Sequence, residues 1–159
     1  MSATFAFSES NTVLETVTDG ISNLNFGSND SPNLNTTTYP IIVNTSSFEK
    51  YIRAKFSGIF TTISNMKFWK SLGTYVAGET ITAAANVAFA TPSQTTNADS
   101  GIPTLVGSAL AIQSTEIADP TLITTPGYTL YIRLQLNTTG SSPSGAVNQK
   151  TLTFQYDEV

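Results

Sequence analysis

The sequence predicts an all-β chain, a single-domain antiparallel β-sandwich of immunoglobulin-like or jelly-roll-like type over residues 1–159. Three observations predict it. Apolar and polar residues alternate at period two in many short runs, the pattern of strands with one buried and one wet face. Roughly eight to ten such runs are separated by turn signals every ~8–12 residues, the spacing of a sandwich or barrel. Charged residues are only 11% of the chain, under half the usual ~25%. Thr, Ser and Asn take their place, which suits strands and turns.

From the N-terminus, Phe5 and Phe7 alternate with small polar residues over 4–8, a strand that ties the N-terminus into a sheet or onto a partner. Residues 13–17 read as a weaker strand, and Asp19-Gly20 as a turn. Ile21, Leu24 and Phe26 follow, then the polar stretch 28–39, SNDSPNLNTTTY, a loop. Pro40 opens a short apolar run, 41–43, which reads as a strand with proline at its edge.

Residues 46–71, SSFEKYIRAKFSGIFTTISNMKFWKS, hold five of the seven cationic residues, four of the nine phenylalanines and the only tryptophan. Phe48, Ile52, Ala54 and Phe56 share one strand face, with Glu49, Arg53 and Lys55 on the other. The order expected is strand, short break after Gly58, strand over 59–62, turn, and strand over 66–70. Phe48, Ile52, Phe56 and Ile59 also sit at helical spacing, and Ser46 with Glu49 matches a capping box. The strand reading is preferred. The lysines are expected on a solvated strand face, where charge blunts an edge.

Gly73 and Gly78 flank an expected hairpin connection over 72–78, and residues 80–90 read as a strand with a loose middle. Residues 91–103 form a loop, 105–113 alternate moderately, and 114–120 close in a turn at Asp119-Pro120. The C-terminal third is clearest. Leu130, Ile132, Leu134 and Leu136 alternate with Tyr131, Arg133 and Gln135, and Leu152, Phe154 and Tyr156 alternate across the connection 137–145. The two runs read as an antiparallel hairpin. Mobile loops are expected at 28–39, 91–103 and 137–145.

The chemistry is defined by what is missing. With no histidine and no cysteine, the usual general base, thiolate nucleophile and Cys/His zinc site are unavailable. Asp157 and Glu158 point to opposite strand faces and cannot share a site. Glu116 and Asp119 lack the EF-hand pattern that would make them a calcium site. No glycine-rich phosphate loop occurs, and Gly58, Gly73 and Gly78 are turn positions. The site expectations are therefore no catalytic, cofactor-binding or metal residues, and no cofactor. A net charge of −4 implies no nucleic-acid partner. No run is long enough to span a membrane, and MSATFAFSES lacks the features of a signal peptide, so a cytoplasmic origin is expected. Trp69, between Lys67 and Lys70, is expected to pack in the core, with sugar stacking or an interface as its other roles. Thr4, Phe5, Phe7 and Trp69 are the candidate interface residues.

Several segments together resemble small virion structural proteins of tailed bacteriophages: FSESN at 7–11, ETVTDGISNLNFGS at 15–28, SFEKYIRAKFSG at 47–58, ISNMKFWKS at 63–71 and KTLTFQYDE at 150–158. Residues 80–113 match least. The resemblance implies a β-rich particle component, foremost a capsid decoration (cement) protein, with a tail-associated or fibre-base protein as the alternative. It implies the major capsid protein or other virion proteins as partners, homo-oligomers on the particle, and a virion assembled in a host cytoplasm. Two further readings compete: a carbohydrate- or host-surface-binding sandwich, which needs two or more rings on one accessible face, and a carboxylate-dependent hydrolase, which needs acids converging in a cleft.

Overall fold

The computed structural model describes residues 3–113, 115–118, 127–145 and 148–159. Among these residues the chain is two packed antiparallel sheets, with no α-helix and one 3-10 turn at Val106–Ser108. No helix among them is long and apolar enough to cross a membrane. The strands are β1 (Thr4–Asn11), β2 (Thr16–Ile21), β3 (Lys50–Ser57), β4 (Thr62–Leu72), β5 (Glu79–Val87), β6 (Leu110–Ala111), β7 (Ile117–Ala118), β8 (Gly127–Tyr128), β9 (Tyr131–Thr138) and β10 (Thr151–Glu158). The larger sheet runs β2-β1-β3-β9-β5, with β8 also on β3. The smaller runs β10-β4-β6, with β7 also on β4.

The alternation seen in the sequence fills the space between the sheets. Ile52, Ala54 and Phe56 of β3, Ile81 and Ala83 of β5, and Ile132, Leu134 and Leu136 of β9 come from one side. Ile63, Met66 and Phe68 of β4 join them from the other. Each of the larger side chains, the isoleucines, leucines, phenylalanines and methionine, contributes about 1.5–3 kcal/mol on burial. Strict alternation would send Ile63 and Met66 to opposite faces. Asn65, at φ 50°, is the extra residue of a bulge and returns both to the core.

The largest departure from the sequence reading is topological: neighbouring runs in the chain enter different sheets. The expected hairpin of 130–136 with 152–156 does not form. β9 pairs with β3 and β5, whereas β10 pairs with β4. Both still feed the core, but the polar connection between them bridges the ~10 Å between stacked sheets. Similarly, 58–61 carries the chain from β3 to β4, so the strand expected over 59–62 is mostly a crossover with Ile59 exposed and Phe60 buried. The connection 73–78 links β4 to β5 and is not a hairpin. Gly58, Gly73 and Gly78 have φ of 95°, 86° and 73°, as turn positions require.

Smaller corrections have local causes. Asp19-Gly20 lies inside β2, where Gly20 makes a bulge against Phe7 and Ser8; the hairpin turn is 12–15. Residues 41–43 form no strand, and Ile42 is exposed. Of 105–113 only β6 is a strand. Leu130 is exposed, one residue before β9. The irregularity in β5 sits near its end, at Asn86, not in its middle. The Asp119-Pro120 turn, and Asp119 as a calcium partner, lie outside the described residues.

The outer face of the large sheet is also covered. Residues 91–103 are a loop, as expected, and the loop is stitched to the sheet. Glu49 N–H donates to Ser93 O, Asn97 N–H to the Gln135 side chain, and Ala83 N–H to Ser100 O. Beneath it, Tyr51 packs edge-on against Phe89 and Tyr131, and Gln135 is fully buried. Tyr131 and Gln135, expected on a wet face, are therefore interior.

Candidate interaction surface

The acidic side chains that a hydrolase would use are largely committed to the chain's own cations. Glu79 accepts from Lys150 Nζ at 2.5 and 2.6 Å, and both are buried. Arg133 grips Asp99 through Nε and an Nη at 2.8 and 2.7 Å, with Glu49 at 3.7 Å, and the Asp99 bond raises the guanidinium pKa. Lys50 Nζ lies 2.7 Å from Glu9 Oε1, and neither is exposed. Asp19 accepts from Lys55, Ser8 and Tyr128, which together hold its carboxyl at about 2, against an ordinary 3.8. Burial pushes the Tyr51 and Tyr131 hydroxyls up. Among the described residues no group of three or more Asp or Glu side chains could hold a metal ion.

These pairs revise the expected basic face. Lys50 shares its strand face with Ile52 and Ala54 and points inward, onto Glu9. Lys70 is buried, donating to Gly73 O and lying 5.0 Å from the Tyr75 ring. Arg53 is held between the rings of Tyr128 and Tyr131 at 4.1 and 4.6 Å. A solvated row of lysines does not exist there, because partners from distant strands neutralise most of the charges.

The four candidate interface residues do not form one patch. Thr4 bonds Ser57 across the β1–β3 edge. Phe5 and Phe7 belong to a ring cluster between the sheets, with Phe5 stacked on Phe154 at 5.2 Å and Phe7 edge-on to Phe68. Phe5 remains 38% exposed at the mouth of that cluster. Trp69 is not in the core, contrary to the sequence reading. It sits half-buried on the opposite face of β4 from Met66, Phe68 and Lys70, across from Thr153. β4 offers its inner face to the even-numbered residues beyond the Asn65 bulge, so Trp69 is turned outward. Among the described residues it enters no ring pair, whereas a sugar platform needs a second ring beside it.

The sequence reading missed the most exposed apolar pair, Val13 and Leu14, at 72% and 88%. Their run reads as a strand, but they form the tip of the β1–β2 hairpin. The tip is braced on both sides. Thr12 N–H donates to Asp30 Oδ2 at 2.7 Å, and the Glu15 carboxylate takes the Tyr131 hydroxyl and lies 3.7 Å from Arg53. Thr12 and Glu15 hold φ of 65° and 54° without being glycine, at a cost of about 1 kcal/mol or more each. The strained turn thus holds two large aliphatic side chains in water.

A cavity of about 1010 Å³ opens at one end of the sandwich, with Phe7, Ile52, Phe68, Ile81 and Leu136 on its floor. Its floor is the end of the core itself, and its rim is made by polar loop residues such as Asn23, Thr37 and Asn148. Comparison with protein-family models, curated proteins and solved structures finds no match for this chain.

Proposed function

We propose that this chain is a non-enzymatic virion structural protein, a decoration (cement) protein that binds the capsid shell of a tailed bacteriophage through protein–protein contacts. The observation that carries this reading is the braced hairpin tip, which presents Val13 and Leu14 to solvent on a rigid turn. Two aliphatic side chains on a pre-ordered turn lose little entropy on docking and gain burial against a partner. The sequence segments that resemble such virion proteins support the same reading. The ion pairs support it too: with most charges neutralised internally, the surface left for a partner is Thr, Ser and Asn, which is cheaper to desolvate than ions.

The partner is the major capsid protein or another virion protein, and the location is the particle. Protein released from particles is rebound to stripped particles and the bound copies are counted. Val13→Ser/Leu14→Ser should keep the β-sheet circular dichroism spectrum yet lose most of its copies. Attachment should change little between about 0.05 and 0.5 M sodium chloride, a range that screens surface charge. Full occupancy by the double variant, or loss of the wild type on adding salt, would overturn the reading.

A further inference from the structure

β10 ends the small sheet, and along residues 151–157 its outer edge takes no main-chain partner among the described residues. Which groups face outward follows from β4. Lys70 N–H donates to Pro103 O, and Met66 O accepts from Ile112 N–H, so these β4 residues turn their main chain away from β10. Antiparallel alternation then directs Lys67 and Trp69 toward β10, where they face Gln155 and Thr153. Leu152, Phe154 and Tyr156 are left with N–H and C=O pointing out of the sheet.

This edge is not protected as the others are. At the far end of the large sheet, β2 is bent by the Gly20 bulge, and β5 is covered by residues 100–102. The irregularities against β10 fall on β4, where the extra residues lie, so β10 itself is regular over its 8 residues. It contains no proline, lysine or arginine, the usual guards of an edge. Leu152, Phe154 and Tyr156 are only half-buried there, beside the exposed rim of Phe5.

We infer that β10 pairs with β10 of a second copy of this chain about a two-fold axis at Phe154, joining the two small sheets into one. The sequence of the strand is self-complementary in that register. Phe154 faces its own counterpart, and Leu152 faces Tyr156, so the inward row meets apolar residues throughout. On the outer face Thr153 meets Gln155 and Thr151 meets Asp157. At each end Lys150 falls opposite Glu158 in the register, each keeping its bond within its own chain, Lys150 to Glu79 and Glu158 to the Ala3 N–H. No like charges oppose one another, although each chain carries a net charge of −4. A shift of one residue would set the apolar row against the polar one. The pairing adds about six main-chain hydrogen bonds and covers the Phe5–Phe154 mouth of the core.

Sedimentation velocity on the purified chain tests this without any particle, so its outcome is separate from shell attachment. The wild type should show a concentration-dependent monomer–dimer equilibrium. Thr153→Glu/Gln155→Glu places carboxylates opposite carboxylates across the axis, while within the chain the carboxylate that replaces the Gln155 amide would face Lys67. Dimerisation should weaken at least about tenfold. The Thr153→Lys/Gln155→Lys variant should also be monomeric, and an equimolar mixture of the two should form heterodimers. A wild type that stays monomeric, a Thr153→Glu/Gln155→Glu variant that dimerises as well as the wild type, or a mixture that fails to associate would each overturn the inference.

Discussion

Replacing Lys50 with methionine is the sharpest test of how this sandwich tolerates charge in its interior. Lys50 is fully buried and its ammonium lies 2.7 Å from Glu9 Oε1. It also donates to Ser31 O at 2.9 Å, which fastens the 28–39 loop to the inner face. At that separation the attraction is about 6 kcal/mol with an effective dielectric of ~20, offset by a desolvation cost of several kcal/mol per ion. The pair is therefore close to neutral as a whole, but each ion depends on the other. Without Lys50, Glu9 keeps one hydrogen bond, from Asn11 Nδ2 at 2.9 Å, while its Oε2 has no protein donor. Lys50→Met should thus cost about 3–5 kcal/mol, whereas Lys50→Met/Glu9→Leu should cost much less, because no orphaned charge remains. Urea unfolding at pH 7 followed by tryptophan fluorescence measures both, and the double-mutant cycle gives the coupling. A single variant that loses under about 1 kcal/mol would refute the reasoning, as would a double variant no better than the single.

Leu134 is fully buried, so Leu134→Ala should lower stability by about 2–5 kcal/mol; an unchanged thermal midpoint would remove it from the core. Phe68→Ala should cost about 3–5 kcal/mol, and Trp69→Ala clearly less, since the two adjacent rings face opposite ways; denaturant midpoints of the two variants compare them directly. Asp19 has a folded pKa of about 2, below its ordinary 3.8. Its contribution is therefore complete above pH ~4 and lost as pH falls toward ~2; carboxyl NMR titration should find the low value, and Lys55→Met should raise it.

Much of the fold was legible because alternation is a local property. The runs 50–56, 131–136 and 151–156 show their inner faces in the sequence itself, since successive side chains on a strand must point to opposite sides. The expected all-β, two-layer architecture follows from those runs and the turn signals between them. The turn glycines were legible for a similar reason, because positive φ at Gly58, Gly73 and Gly78 needs no distant partner.

Tertiary structure alone decided which strand lies beside which. The runs at β9 and β10 are equally good neighbours by pattern, and a polar connection of more than ten residues permits either a hairpin or a crossing to the opposite sheet. The same limit hid the fate of the charges. Lys50 looks like a wet residue until Glu9, 41 positions earlier, is found beside it. The alternation of Met66 and Phe68 with Lys67 and Trp69 is local and legible in the sequence, but which of the two faces meets the core is decided by packing against the large sheet, and that packing takes Met66 and Phe68 and turns Trp69 outward. The Val13–Leu14 tip became visible only when Asp30 and Tyr131 were seen to hold the turn from either side. Side-chain alternation is written residue by residue along the chain, whereas partner choice depends on the free energy of the whole packed assembly of strands.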